Sequence, residues 1–137
     1  LEDHGKRFEL ELKKWRDKNP ESLVYAIVGV GPDGHIAGIM PYPDDTSLFY
    51  KHFQSEKWVA GYNAGTKNPF SLRSTITLSF IQGQISFAIS YISGEGKRLA
   101  LEKALASDGT LVETPARILR EAKDVYIYTD IRLRKES

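Results

Sequence analysis

Hydrophobic and polar positions repeat with two different periods along this chain, and each change of period predicts a new element. Apolar side chains recur at helical spacing from Lys6 to Lys18, which predicts an amphipathic helix that ends before Pro20. The next stretch, Leu23 to Val30, contains only apolar residues, tyrosine and glycine, and it favours a central strand covered on both faces. The turn residues Gly31-Pro32-Asp33-Gly34 follow, and His35 to Met40 is predicted to return as a second strand.

The middle of the chain changes from a helical period to strict alternation. Apolar residues between Ser47 and Tyr62 predict a second helix. The stretch from Gly61 to Ser71 is rich in glycine and asparagine, which indicates an exposed loop. Alternation then runs from Ser74 to Phe80 and again from Ile85 to Tyr91, and this pattern predicts a β-hairpin.

The last third of the chain predicts two helices and one strand. The first helix follows Gly96 and closes near Asp108-Gly109. The second has Thr114 as its N-cap and Pro115 at its first position. From Val125 to Leu133 apolar and polar residues alternate, which predicts a half-exposed strand.

These elements give the order α-β-β-α-β-β-α-α-β. Tight turns between neighbouring strands imply antiparallel pairing. We therefore expect an α+β fold, with a mostly antiparallel five-stranded sheet and helices packed on one face.

Length and composition predict one domain over residues 1–137. A chain of 137 residues buries roughly two thirds of its unfolded surface, and 41% apolar with 27% charged residues is close to the globular average, so the whole chain should fold. It opens on Leu1 rather than a methionine, so a domain excised from a longer protein is the alternative to a complete chain.

Composition also excludes several classes of function. Without cysteine there are no disulfides, no thiolate nucleophile and no zinc or iron–sulfur site built on thiolates. No apolar run approaches the roughly 18 residues that span a bilayer, so no membrane contact is expected. The net charge of +1 gives nucleic-acid binding little support.

A glycine-rich motif and two histidines are the first candidates for chemistry. Gly29 to Gly34 matches the G-x-G-x-x-G letters of a dinucleotide-binding loop, but the residues that follow favour a strand instead of a helix, so a hairpin turn is the preferred interpretation. His35 follows Asp33, whose carboxylate could orient it, and His52 lies in the second predicted helix. Each of these two histidines is a candidate base. The favoured interpretation is an exposed turn residue for His35 and a surface or partly buried helix residue for His52.

Metal ligands are the next candidates. Asp44-Asp45 with His52 is the nearest approach to a metal site, and helix capping explains these aspartates more simply. No cofactor and no metal is expected.

The most suggestive surface is the last predicted strand, where aromatic and cationic side chains share one face: Tyr126, Tyr128, Arg132 and Arg134. Such residues anchor protein interfaces, and they also stack on bases and hold phosphates. The ordinary alternative is a solubilised strand edge.

Two functional hypotheses follow. The first is a non-catalytic interaction or sensory module that binds a partner protein or a small ligand, with the partner protein favoured over nucleic acid because charge is balanced. The alternative is a small metal-independent nuclease of the toxin type, in which His35 or His52 serves as base, Arg132 or Lys67 as cation and Tyr128 as proton donor. No motif in the sequence brings these groups together.

Overall fold

The computed structural model describes residues 2–134, and within them two separate sheets are formed. The strands are β1 (Tyr25–Ile27), β2 (Val59–Asn63), β3 (Leu72–Ile76), β4 (Phe87–Ile92) and β5 (Val125–Thr129). Strands β1, β4 and β5 form a parallel sheet in the order β1-β4-β5, and β2 pairs with β3 as an antiparallel hairpin. The sheet that could bind a ligand at its carboxyl edge is therefore the parallel one.

Helices connect the parallel strands. The α-helices are α1 (Glu2–Lys18), α2 (Thr46–Phe53), α3 (Leu78–Gln84) and α4 (Arg98–Leu105), and shorter 3₁₀ turns cover Gly65–Lys67, Glu95–Lys97 and Pro115–Arg120. The helix predicted from Lys6 to Lys18 is confirmed as part of α1. No helix among these residues is long and apolar enough to cross a membrane.

The predicted five-stranded antiparallel sheet is wrong. Tyr25 pairs with Phe87 and Ala88 pairs with Val125, and both pairings are parallel. Parallel neighbours need long crossover connections. Here the β1–β4 crossover carries α2, the β2–β3 hairpin and α3, so β1 pairs with a strand that is not the next one in sequence.

Three local predictions also need correction. His35–Met40 is not a strand but a compact loop with two isolated bridges, Val30 to Ile36 and Ile36 to Ile39. The predicted helix from Ser47 to Tyr62 ends at Phe53, and its last residues belong to β2. The predicted central strand is at the edge of its sheet, because Ile27 is 85% exposed and lies opposite β4 alone.

The predicted hairpin from Ser74 to Tyr91 is also wrong, because a helix intervenes. Thr77 ends β3 and caps α3, since its side chain accepts a hydrogen bond from the Phe80 amide. Alternation from Ser74 to Phe80 therefore spans the end of a strand, an N-cap and the first turn of a helix.

The core lies between the parallel sheet, the helices and the hairpin. Its fully buried side chains include Ile36, Phe49, Phe53, Leu78 and Leu101. Two chain segments leave the carboxyl ends of the adjacent strands β1 and β4: the turn after Gly29 and the segment Gly94–Lys97. Because parallel strands end at the same edge, these two segments lie on the same side of the sheet.

Candidate active site

A tight turn follows the carboxyl end of β1. The Gly34 amide donates to the Gly31 carbonyl at 3.0 Å, and the Gly31 amide donates to the His35 carbonyl at 2.9 Å. Gly34 has a φ of 85°, which glycine adopts without the cost that a Cβ would bring. No helix opens at Gly34, so the context of a dinucleotide-binding loop is absent at this turn.

The turn brings His35 onto Asp33. The Asp33 Oδ1 atom accepts hydrogen bonds from the His35 backbone amide at 3.1 Å and lies 2.5 Å from the His35 Nδ1 atom. A carboxylate at Nδ1 selects the tautomer with the proton on that nitrogen, which leaves Nε2 with a free lone pair. Because the His35 side chain remains 24% exposed, this lone pair can reach a ligand.

Gly31 leaves the space that the imidazole ring of His35 occupies. A Cβ built on Gly31 would overlap the ring of His35. The ring therefore packs directly on backbone, and only glycine allows that approach. Two local features, a carboxylate and a glycine, hold the imidazole in one orientation.

The β2–β3 hairpin contacts this loop from the other side. The Tyr62 hydroxyl donates to the Gly38 carbonyl at 2.5 Å, and the Gly38 amide donates to the Thr75 Oγ1 atom at 2.9 Å. Burial raises the pKa of the Tyr62 phenol and the neighbouring Tyr42 adds to the rise, while a hydrogen bond from the Met40 backbone and the Arg73 guanidinium oppose it. The phenol that is bonded to the loop therefore keeps its proton.

Two half-buried cations lie on other elements, one on the hairpin and one at the carboxyl edge of the parallel sheet. Arg73 is half-buried, pairs across the hairpin with Tyr62 and donates from Nη1 to the Asn68 Oδ1 atom at 3.3 Å. Lys97 is half-buried and directly precedes α4 at the carboxyl end of β4. Positive charge at the carboxyl edge of a parallel sheet suits an anionic ligand.

The other predicted histidine has a different environment. His52 lies on α2, and its ring centroid is 5.1 Å from that of Tyr62 and 6.1 Å from that of Tyr42. Burial lowers the pKa of His52, Lys51 lowers it further and Asp45 opposes them. The structure thus pairs His35 with a carboxylate and packs His52 among aromatic rings.

The four residues predicted to bind a partner do not share one strand face. Tyr126 and Tyr128 project from β5 as predicted and are half exposed, and Tyr126 stacks on Phe87 at 4.8 Å between ring centroids. The strand ends at Thr129, so Arg132 and Arg134 lie beyond it. A binding role for these four residues stays a prediction.

Asp44, Asp45 and His52 do not form a metal site. Asp45 is the N-cap of α2, where its carboxylate accepts from the Leu48 amide. Among residues 2–134 no three histidine, aspartate or glutamate side chains converge into a metal-binding group.

Sequence reasoning singled out His35 and its neighbour Asp33 but missed Tyr62, Thr75 and Arg73. These three residues lie on a hairpin that the sequence pattern did not predict, and Tyr62 and Thr75 bond from it to the loop at Gly38. Of the three, only Thr75 lies in a pattern that the sequence shows, the alternation from Ser74 to Phe80, which indicated a strand but not its partner.

Comparison with known proteins places these features in a family context. The chain matches the family model described as glucosamine-6-phosphate isomerases/6-phosphogluconolactonase over residues 1–127. The 6-phosphogluconolactonase of Borreliella burgdorferi is 34% identical over 108 residues, which cover 79% of this chain and 43% of that protein. The chain thus spans less than half the length of this relative.

Two solved 6-phosphogluconolactonases have a similar fold. The structure from Trypanosoma brucei superposes with a TM-score of 0.69 at 22% identity, over 94% of this chain and 52% of that one. The structure from Thermotoga maritima gives a TM-score of 0.69 at 21% identity, over 93% of this chain and 50% of that one. The resemblance extends through nearly all of the present chain and about half of each relative.

These matches overturn both functional hypotheses drawn from the sequence. The non-catalytic interaction or sensory module is wrong, and so is the metal-independent nuclease, because the matched family model and relative are those of sugar-phosphate enzymes. The expected partner protein and the alternative of nucleic acid are wrong for the same reason.

Proposed function

Because the chain belongs to the family of glucosamine-6-phosphate isomerases and 6-phosphogluconolactonases, we propose that it hydrolyses a phosphorylated sugar lactone, with His35 as the general base. The lactonase is chosen over the isomerase because the relative with 34% identity is named a 6-phosphogluconolactonase. The proposed substrate is accordingly 6-phosphogluconolactone.

The hydrogen-bonded pair of His35 and Asp33 carries this proposal. A lactone is an activated ester, so its hydrolysis needs a base that removes a proton from water next to the carbonyl carbon. The His35 Nε2 atom is suited to this step, since Asp33 holds the proton on Nδ1 and the side chain is 24% exposed. Asp33 also stabilises the imidazolium ion that forms.

The reaction then proceeds in two steps. The hydroxide formed at His35 attacks the lactone carbonyl and gives a tetrahedral oxyanion. The bond between the carbonyl carbon and the ring oxygen breaks, and the imidazolium ion returns its proton to that oxygen. The products are a carboxylic acid, which ionises at neutral pH, and a free hydroxyl group.

Lys97 and Arg73 are the residues that we assign to the phosphate group. In open sheets with parallel strands, ligands bind beyond the carboxyl ends of the strands. Lys97 lies at that edge, where the turn that carries His35 also leaves the sheet, and Arg73 pairs across the hairpin with Tyr62, which is bonded to the same loop. Both side chains are half-buried, which strengthens their attraction for a phosphate relative to fully hydrated cations.

The test is hydrolysis of 6-phosphogluconolactone, followed by acid release with a pH indicator and corrected for spontaneous hydrolysis. We expect the protein to accelerate this reaction, and His35→Gln to lower kcat/KM by about 100-fold or more, the usual contribution of a general base. His4→Gln, at an exposed position on α1, is the control and should keep wild-type activity.

Two substrate comparisons sharpen the result. Unphosphorylated gluconolactone should be hydrolysed with a much lower kcat/KM, because it lacks the group assigned to Lys97 and Arg73. Glucosamine 6-phosphate tests the isomerase activity. Turnover of that compound without lactone hydrolysis would replace the lactonase proposal, and a wild-type rate equal to the spontaneous rate would refute it.

A further inference from the structure

A tight turn from Ile36 to Ile39 directly follows His35. Ile36 and Ile39 are fully buried and exchange backbone hydrogen bonds of 3.3 and 2.8 Å. Between them Ala37 has a φ of 52°, and it is the only non-glycine residue with a positive φ within residues 2–134. Because alanine rarely adopts this left-handed conformation, contacts outside the turn must hold it there.

Those contacts converge on the Gly38 peptide group. Its carbonyl accepts from the Tyr62 hydroxyl, and its amide donates to the Thr75 Oγ1 atom. Tyr62 is 3% exposed and Thr75 is 4% exposed, so both hydrogen bonds are shielded from water. A buried donor or acceptor that loses its partner is strongly unfavourable, which makes this clamp a specific restraint on the turn.

The hairpin presents the two side chains together. Tyr62 pairs with Arg73 and Thr75 pairs with Ala60, two positions further along the hairpin, so the two clamp residues lie on the same face. A Cβ on Gly38 would lie 2.7 Å from the Thr75 Cβ atom, which shows how closely the loop and hairpin approach.

We propose that Tyr62 is a positioning residue for His35: its hydroxyl holds the left-handed turn at Ala37 and so keeps the imidazole against Asp33. This inference rests on the proposed role of His35 as the base. Tyr62 acts through the backbone of the turn and does not itself touch the substrate. Burial raises the pKa of its phenol, so the hydroxyl keeps its proton and remains a donor over the working pH range.

The first test is Tyr62→Phe, which removes the hydroxyl and keeps the ring. The fold should persist, because the ring still packs on Phe53 at 4.9 Å and on His52 at 5.1 Å between centroids. We expect kcat for lactone hydrolysis to fall about tenfold with little change in KM, since a small displacement of a catalytic group slows the chemical step. Tyr50→Phe, which removes an exposed hydroxyl from α2, is the matched control.

The second readout does not depend on the reaction. In ¹⁵N NMR spectra of the histidine rings, wild-type His35 should show the tautomer with its proton on Nδ1. In Tyr62→Phe the His35 signals should shift toward a mixture of tautomers, while in Tyr50→Phe they should not. Unchanged His35 signals in Tyr62→Phe would overturn the proposal, even if the wild-type protein proved inactive on the lactone.

Rescue separates positioning from general destabilisation. Glycine adopts positive φ values readily, so Ala37→Gly should restore part of the kcat and of the Nδ1 tautomer in the Tyr62→Phe background. Thr75→Val removes the second hydrogen bond at nearly constant volume and should shift the His35 signals in the same direction. A double variant no better than Tyr62→Phe alone would count against the role assigned to the Ala37 turn.

Discussion

Neighbouring groups decide what each histidine of this chain can do. His35 has a carboxylate at Nδ1 and an accessible second nitrogen, which is the environment of a base. His52 is half-buried against the rings of Tyr42 and Tyr62, and its burial disfavours the charged form. The same side chain is thus paired with a carboxylate at one position and packed against aromatic rings at the other.

The packing of His52 predicts a pH-dependent stability. Burial lowers its pKa below the ordinary value of 6.5 in the folded chain, so the unfolded chain takes up this proton first as the pH falls. The folded state is therefore fully favoured above that value and loses stability as the pH falls toward the folded pKa. Between about pH 7.5 and about pH 5.5, the Tm of the wild type should fall more than that of His52→Gln.

Thermal unfolding monitored by circular dichroism at both pH values checks this expectation. His4→Gln removes a histidine from an exposed position and controls for the loss of a titrating side chain. If the Tm of His52→Gln falls as steeply as that of the wild type, burial of His52 does not govern the pH response.

Sequence distance decided which site residues could be recognised in advance. His35 lies two positions from Asp33, so their contact is part of one turn and could be predicted from the sequence. Tyr62 and Thr75 contact Gly38 across 24 and 37 positions. No local pattern encodes such contacts, because they depend on how the hairpin packs against the loop.

Among the elements, α3 shows how a correct pattern can predict the wrong structure. Thr77 is fully buried, donates to the Lys57 carbonyl at 2.6 Å and accepts from the Phe80 amide at 3.2 Å. A threonine that alternates with apolar neighbours is typical of a strand, yet the same hydroxyl is a good helix N-cap. Tertiary contacts with the segment before β2 favour the cap.

The carboxyl end of α4 depends on a buried cation. The Arg117 guanidinium is 9% exposed and donates from Nη1 to the carbonyls of Lys103 at 2.7 Å and Ala106 at 3.0 Å. These carbonyls belong to the unpaired end of the helix, whose negative dipole also favours a cation. Arg117 therefore fastens α4 to the 3₁₀ turn that leads toward β5.

Removal of this cation should cost substantial stability. Hydrogen bonds from charged donors contribute about 1.5–3 kcal/mol each, so we expect Arg117→Met to lower the free energy of unfolding by about 3 kcal/mol. Urea denaturation provides the measurement. Arg120→Met is the matched control, because its exposed guanidinium also donates to the carbonyls of Leu105 and Ala106. Equal losses in the two variants would show that burial of Arg117 is not the source of its effect.

For the molecule as a whole, the sequence indicated the strands better than their partners. The continuous apolar run from Leu23 to Val30 predicted a central strand covered on both faces of an antiparallel sheet, whereas β1 lies at the sheet edge and pairs in parallel with β4. The Ser90 hydroxyl on β4 donates to the Val28 carbonyl, 62 positions earlier in the chain. Contacts between such distant segments leave no local signal in the sequence, so the pattern favoured tight turns between neighbouring strands. Which strands pair is decided by packing of the crossover elements, which alternation does not reveal.

The parallel sheet has one buried and one exposed face within residues 2–134. Ala88, Ser90 and Ile92 point into the core. The residues of β4 that alternate with these three point to the opposite face, together with side chains of β1 and β5. That exposed face comprises Tyr25, Ile27, Phe87, Ile89, Tyr91, Tyr126 and Tyr128. Parallel sheets are normally covered on both faces, so a contiguous apolar surface of this kind is unusual.

This exposed face should bind hydrophobic probes while the chain is folded. Contiguous apolar patches attract such ligands and promote association. We expect native-state fluorescence of an anilinonaphthalene sulfonate dye, and a decrease of about twofold or more when Ile27 and Tyr128 are both replaced by lysine. Leu72→Lys, which charges an exposed apolar position on β3 instead, should leave the signal nearly unchanged. Circular dichroism confirms that each variant is folded, and equal fluorescence in the double variant and the wild type would place the dye on another surface.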